Sequence, residues 1–187
     1  MPDPSASLFG QALTEIVRRL ERAKQQGLLR AYGLIGGFAV SAWGVPRATH
    51  DIDFVLVPAR TDPVAIAAAI GGEYRSSAPD DPLEGVFHAT LTIEGQPIPI
   101  QLILLPHRWV TAVLEHLQVV PVLDCPTPVV SWQALVLLKL YAGGPRDLID
   151  ARELFVVHQP DPQTLDGMRI MAKSLGLSRE FSAFLKR

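Results

Sequence analysis

Two carboxylates separated by one residue, Asp51 and Asp53, open an apolar run that continues to Val57, and thirteen residues separate them from an upstream Gly36-Gly37 pair. On a strand, residues i and i+2 project from the same face with Cα atoms about 6.6 Å apart, so Asp51 and Asp53 aim two carboxylates at one point. Oxygen ligands converging in this way, with positions left for water and phosphate, are how Mg²⁺ is held beside a nucleoside triphosphate. A Gly-Gly turn at a helix start adds free N–H groups and a favourable dipole for a phosphate, with no Cβ to block its approach. Arg47, four residues before Asp51, adds positive charge for a phosphate tail. A bare Asp-x-Asp is commonly two solvated acids, and Gly-Gly commonly only a turn. Here unpaired acids at the head of an apolar strand are a poor choice for stability alone, which favours a cation site.

The elements that must position these residues are legible from periodicity. From Leu8 to Gln26 apolar side chains recur at three and four residues, giving an amphipathic helix capped by Ser7 and stopped by Gly27. Tyr32 to Ile35 reads as a strand, Gly36-Gly37 as a tight turn, and Phe38 to Trp43 as a short helix ended by Gly44 and Pro46. Asp51 to Val57 is a strand buried in a sheet, and Pro63 opens an alanine-rich helix to Ile70, closed by Gly71-Gly72. Ser76 to Gly85 is a loop; Val86 to Glu94 alternates and turns at Gly95-Gln96 into the apolar run Ile98 to Leu105, a hairpin. The remainder reads as helices: Trp109 to Gln118, Ser131 to Ala142 with Ser131 as N-cap, Pro145 to His158, Pro162 to Lys173, and a short one from Ser178. The class is α+β (or α/β): a small mixed sheet flanked by helices, with an α-helical C-terminal part. The 187 residues read as one domain, its core at about 30–125 and its helical extension at about 126–187.

Composition narrows the functions. With 48% hydrophobic and 19% charged residues, the chain is neither collagen-like nor disordered. Seventeen basic against 19 acidic side chains, a net charge of -2, exclude a broad duplex-DNA face, because that affinity comes from phosphate neutralisation. The single cysteine, Cys125, fits a reducing cytosol and reads as a small buried residue. Met1 to Ser7 lacks the features of a secretory signal, and the most apolar stretches are about ten residues, too short for a bilayer, so a cytoplasmic protein is expected. The 16 prolines are spread through short connectors, as in a domain with many stiff turns.

The stretch from Leu34 to Val40 with its Gly36-Gly37, continued by Gly44 to Phe54 with its Asp51-Ile52-Asp53, resembles the signature of the polymerase-beta-type nucleotidyltransferase superfamily. Among its branches the chain is most similar to bacterial abortive-infection toxin-type nucleotidyltransferases, and Lys139 followed by Arg146-Asp147-x-x-Asp150 resembles their helical segment. The matches span about Leu34 to Leu154. The resemblance implies Mg²⁺ (or Mn²⁺), an NTP donor and transfer of a nucleotidyl group to a hydroxyl. It further implies metal binding by Asp51 and Asp53, triphosphate held at Gly36 and Gly37, and Lys139 near the phosphates. Lys139 reads equally well as the polar end of an apolar helix, and Arg146, Asp147, Asp150 and Arg152 as surface ion pairs. The acceptor is open among tRNA, other RNA, a protein and a small molecule; a second copy or an antitoxin is the expected kind of partner.

One position departs from the pattern. Where the superfamily places a third carboxylate on a neighbouring strand, the matching run from Pro97 to Leu105 has Gln101 as its only polar member. Glutamine lends a carbonyl oxygen to a metal but carries no charge and accepts no proton. Three outcomes follow: His88, Glu94 or Asp124 supplies the third role; the pocket binds nucleotide without turnover; or two carboxylates act on a pre-activated acceptor. A glycosyltransferase also uses Asp-x-Asp on a nucleotide sugar, but 187 residues are few for that fold. His50 points away from Asp51 if both lie on a strand, and His107, His116 and His158 share no spacing with it.

Overall fold

A computed structural model describes residues 4–60, 62–78 and 81–186. Its first element, α1 (Pro4–Gln25), turns at Gly27 into β1 (Leu29–Ile35), which passes directly into α2 (Gly36–Ala42). Then come β2 (Ile52–Pro58), α3 (Pro63–Ile70), β3 (Gly72–Ser76), and the hairpin of β4 (Gly85–Ile93) and β5 (Gln96–Leu104). After α4 (Arg108–Leu114), a second hairpin of β6 (Leu117–Val122) and β7 (Cys125–Val130) precedes four helices: α5 (Trp132–Ala142), α6 (Pro145–His158), α7 (Pro162–Ser174) and α8 (Ser178–Phe184).

The strands form one mixed sheet in the order β3-β4-β5-β2-β1-β7-β6. β2 lies at its centre, antiparallel to β1 and parallel to β5. Alternation decides which side chains face the core. Ile52, Phe54 and Leu56 of β2 share a face with Ile100, Leu102 and Leu104 of β5 and with Phe87, Ala89 and Leu91 of β4, all of them buried. α1 supplies the matching stripe of Ala12, Leu13, Ile16, Leu20 and Ala23, and packs against α3, β1 and β4. α5 is apolar almost all round because neighbours cover it on most sides: α6, α7 and α8 pack on it, and α2 touches it. Helix ends follow local chemistry: Asp62 caps α3 ahead of Pro63, Ser131 caps α5 through the Ala134 N–H, and Gly71 and Gly143 close their helices in the left-handed conformation.

The α+β class, the mixed sheet, the β4–β5 hairpin and the helical C-terminal part match the sequence expectation. Four details differ. α1 begins at Pro4, so Ser7 lies inside it rather than at its cap, while Met1 to Asp3 lie outside the described residues. The loop expected from Ser76 includes Pro79 and Asp80, also outside them, and is preceded by β3, an edge strand that pairs with β4. The helix expected over Trp109 to Gln118 stops at Leu114, because Leu117 and Gln118 pair with Val130 and Val129. The helical part therefore starts at Trp132, not at about residue 126, and β7 belongs to the sheet. Among the described residues no helix is long and apolar enough to cross a membrane.

Candidate active site

The site is assembled by sheet register. Antiparallel pairing of β1 with β2 sets Ile35 opposite Asp53, which brings the first turn of α2 against the start of β2. Gly36 makes that junction with φ +67°, and a Cβ placed on it would stand 1.9 Å from Asp53 Oδ2. A Cβ placed on Gly37 would stand 2.6 Å from Thr49 Cβ. No side chain caps α2, so its first N–H groups remain available to a ligand.

Parallel pairing of β2 with β5 then sets Gln101 beside Asp53 on the same face of the sheet. Glutamine thus stands at the strand position anticipated for a third acid. His88 is opposite Gln101 one strand further out but is exposed and does not line the cavity. Glu94 and Asp124 sit in the β4–β5 and β6–β7 turns, and Glu94 accepts a hydrogen bond from Gln11. None of the three fills the third role.

A cavity of about 470 Å³ opens over these residues. Gly36, Gly37, Arg47, Asp51, Asp53 and Gln101 form its polar floor, Lys139 and Asp147 come in from the helical part, and Leu83, Ile103, Leu135, Leu138 and Tyr141 make an apolar wall. Tyr141 pins the wall by donating its hydroxyl to the Pro82 carbonyl. A second cavity of similar volume between α4 and α7 contains no carboxylate pair.

Charge in the site is tightly connected. Asp51 precedes β2, is exposed, and accepts a hydrogen bond from Thr49 Oγ1 at 2.9 Å. Asp53 is half-buried; burial first, and Asp51 second, push its carboxyl up to about 6, against the pull of Lys139 and Arg47. Asp150 is 1% exposed and lies behind the cavity, where it accepts from Arg47 Nη1 and pairs with Lys139 Nζ at 2.8 Å. Lys139 also donates to Asp147 at 2.8 Å. Arg146 is exposed, approaches Asp150 only at 3.7 Å, and does not line the cavity.

The sequence-derived set is therefore largely gathered: Gly36, Gly37, Arg47, Asp51, Asp53, Gln101, Lys139 and Asp147 line one cavity, Asp150 underlies it, and Arg146 stays outside. Lys139 is more than the polar end of an apolar helix, since two acids fix it at the cavity. Thr49 and Tyr141 went unforeseen; Thr49 has no signal beyond lying two residues before Asp51. Cys125 is buried, as expected, and His158 is stacked on Trp132, away from the site.

The residues present fit a divalent cation. The exposed Asp51 carboxylate repels the half-buried one of Asp53, and the amide of Gln101 adds a neutral oxygen; no cationic side chain is paired with either acid among the described residues. No cluster of three or more His, Cys, Asp or Glu able to hold a metal occurs among the described residues, so the donor set stops at two charged groups.

No family model and no curated protein matches the chain. Solved structures do. The solution structure of the antibiotic-resistance factor ANT(2'')-Ia is similar with a TM-score of 0.54 at 15% identity, covering 92% of this chain and 97% of that one. An antigenic nucleotidyltransferase-like protein from Paracoccidioides brasiliensis is similar with a TM-score of 0.54 at 14% identity, covering 95% and 92%. The chain has a nucleotidyltransferase-type fold.

Proposed function

We propose that this chain, as a single domain, is a metal-dependent nucleotidyltransferase that moves an NMP group from an NTP to a hydroxyl of RNA, protein or a small molecule. The observation that carries the reading is the convergence of Asp51 and Asp53 with the Gly36-Gly37 turn and two cationic side chains in one cavity. Mg²⁺ or Mn²⁺ held by Asp51 and Asp53, with the Gln101 amide as a neutral donor, supplies charge neutralisation on the phosphates. The chain's own groups do the rest. The open N–H groups at Gly36 and Gly37 cradle phosphate oxygens, Arg47 and Lys139 draw off charge, and the wall of Leu83, Leu135, Leu138 and Tyr141 keeps water from the reacting atoms.

Incubation with each labelled NTP, Mg²⁺ or Mn²⁺, and pools of tRNA, protein and small hydroxyl compounds is expected to give label transfer that Asp53→Ala abolishes. Transfer that survives Asp53→Ala refutes the assignment.

A second reading is favoured by one observation, the register of Gln101 on Asp53: a catalytically silent nucleotide-binding protein, or the partner of an antitoxin. It expects NTP to raise the melting temperature without turnover. Gln101→Asp separates the readings further. A third charge in the row is expected to tighten Mn²⁺ binding about tenfold or more, read by calorimetry. In the silent protein it creates turnover where there was none; in the active enzyme turnover precedes it. Unchanged Mn²⁺ affinity removes Gln101 from the cation site.

A further inference from the structure

We infer that the two acids of α6 that grip Lys139 act on nucleotide binding with opposite signs: Asp150 positions the cationic pair that receives the phosphates, whereas Asp147 occupies the phosphate's place on Lys139 and must yield it. The inference rests on the nucleotide reading above and assigns roles that this reading leaves open.

The two carboxylates differ in setting although both contact the same ammonium. Asp150 is 1% exposed and outside the cavity lining, and its oxygens are met from three directions by Arg47, Lys139 and, more distantly, Arg146. It is a fixed buried anion that ties the loop before β2 to α5, the two elements bearing the cations. Without its charge, Arg47 and Lys139 repel each other and lose their common anchor. Asp147 is 27% exposed, lines the cavity and makes a single contact with Lys139 at 2.8 Å. It lies in the first turn of α6, whose N-cap, Gly144, offers no side chain to hold it. An anion entering from the cavity side therefore meets Lys139 already paired with a partly exposed carboxylate. Counting Asp51, Asp53, Asp147 and Asp150 against Arg47, Lys139 and the more distant Arg146, the site has an excess of negative charge before any cation binds. Displacing Asp147 from Lys139 is the step by which the phosphates gain a full positive partner, and the freed carboxylate swings to solvent.

The test is calorimetric titration of a non-hydrolysable ATP analogue with Mn²⁺ into the full chain and into Asp147→Asn and Asp150→Asn. Asp147→Asn is expected to tighten binding about threefold to tenfold, and Asp150→Asn to weaken it about tenfold or more. Asp150→Glu, which keeps the charge, is expected to recover part of the affinity that Asp150→Asn loses. A general loss of structure moves both variants in the same direction. If both weaken binding, or neither changes it, the inference is overturned. If Asp150→Asn fails to fold, Asp147→Asn decides alone, since unchanged or weaker binding there refutes the competitor role. An unmodified chain that takes up no analogue overturns the nucleotide reading itself, a result distinct from normal uptake with unshifted variants.

Discussion

Asp53→Asn is expected to melt at a higher temperature than the unmodified protein at pH 8 in the presence of a chelator, and to lose that advantage as the pH falls toward 4. Burial, and then repulsion from Asp51, lift the Asp53 carboxyl from its ordinary 3.8 to about 6. A raised folded value for an acid means that the folded chain binds the proton more tightly than the unfolded one. Between about pH 4 and pH 6 the folded state holds more protons, so stability falls as the pH rises. Above pH 6 the whole penalty is present, and at 1.36 kcal/mol per unit a shift of about two units bounds it near 3 kcal/mol, about 2 kcal/mol once partial solvent screening is allowed for. For a chain of this length that is a rise of about 4 to 8 °C on removing the charge.

Addition of Mg²⁺ reverses the order. The unmodified protein gains stability from a ligand that binds only its folded state, and the asparagine variant, with one carboxylate left, gains little. Transfer activity in the variant falls by at least about a hundredfold, because the interaction lost is one that stabilises charge on the phosphates. Melting curves at pH 4.5 and 8, with chelator and with Mg²⁺, read the stability terms, and a labelled-NTP transfer assay reads the activity. A variant that melts lower at pH 8, or a difference that does not depend on pH, refutes the account of Asp53 as an acid kept charged at the expense of stability.

The site was easier to read in the sequence than the sheet's edges, for a physical reason. Asp51, Asp53 and Gly36-Gly37 violate what stability alone selects, namely acids at the head of a buried strand and paired glycines at a helix start, so they stand out from their surroundings. Gln101 could be placed because it is the only polar side chain in the apolar run of β5, and the register sets it beside Asp53. β6 and β7 were hidden by Pro121, Pro126 and Pro128, which ordinarily argue against strands. They are tolerated because β6 is an edge strand and β7 pairs with β1 only at Leu34 and Val129, so few ladder bonds require the absent N–H groups. β3 was hidden by its brevity and by having only Tyr74 as a strongly strand-forming residue. The α6 acids were recognised as a pattern, but their division into a buried Asp150 and a cavity-facing Asp147 depends on the pitch of α6 against α5, which no local spacing encodes.

Gly36→Ala is expected to be the most damaging single-methyl change in the site, with Gly37→Ala and Gly95→Ala as its internal standards. At Gly36 two penalties coincide. The backbone is held at φ +67°, where a side chain costs about 1 to 2 kcal/mol. The new Cβ also meets Asp53 Oδ2 at 1.9 Å, Cγ at 2.7 Å and Cβ at 2.8 Å. Rotating the carboxylate relieves only the first two contacts, since the third is with the root of the side chain, so β2 or the head of α2 must shift and carry Asp53 out of register with Gln101. Overpacking of this kind adds about 1 to 3 kcal/mol. Gly95, with φ +78° and open space around it, isolates the backbone penalty. Gly37 has ordinary backbone, and an added Cβ there meets Thr49 Cβ at 2.6 Å, so the loop before β2 must shift but no left-handed backbone penalty is added. Denaturant melts should therefore rank Gly36→Ala lowest, by about 1 to 3 kcal/mol below Gly95→Ala, with Mn²⁺ affinity reduced at least about tenfold in Gly36→Ala and unchanged in Gly95→Ala. Equal losses at positions 36 and 95 would mean that Gly36 serves only its turn and that the contact with Asp53 does not set the cation site.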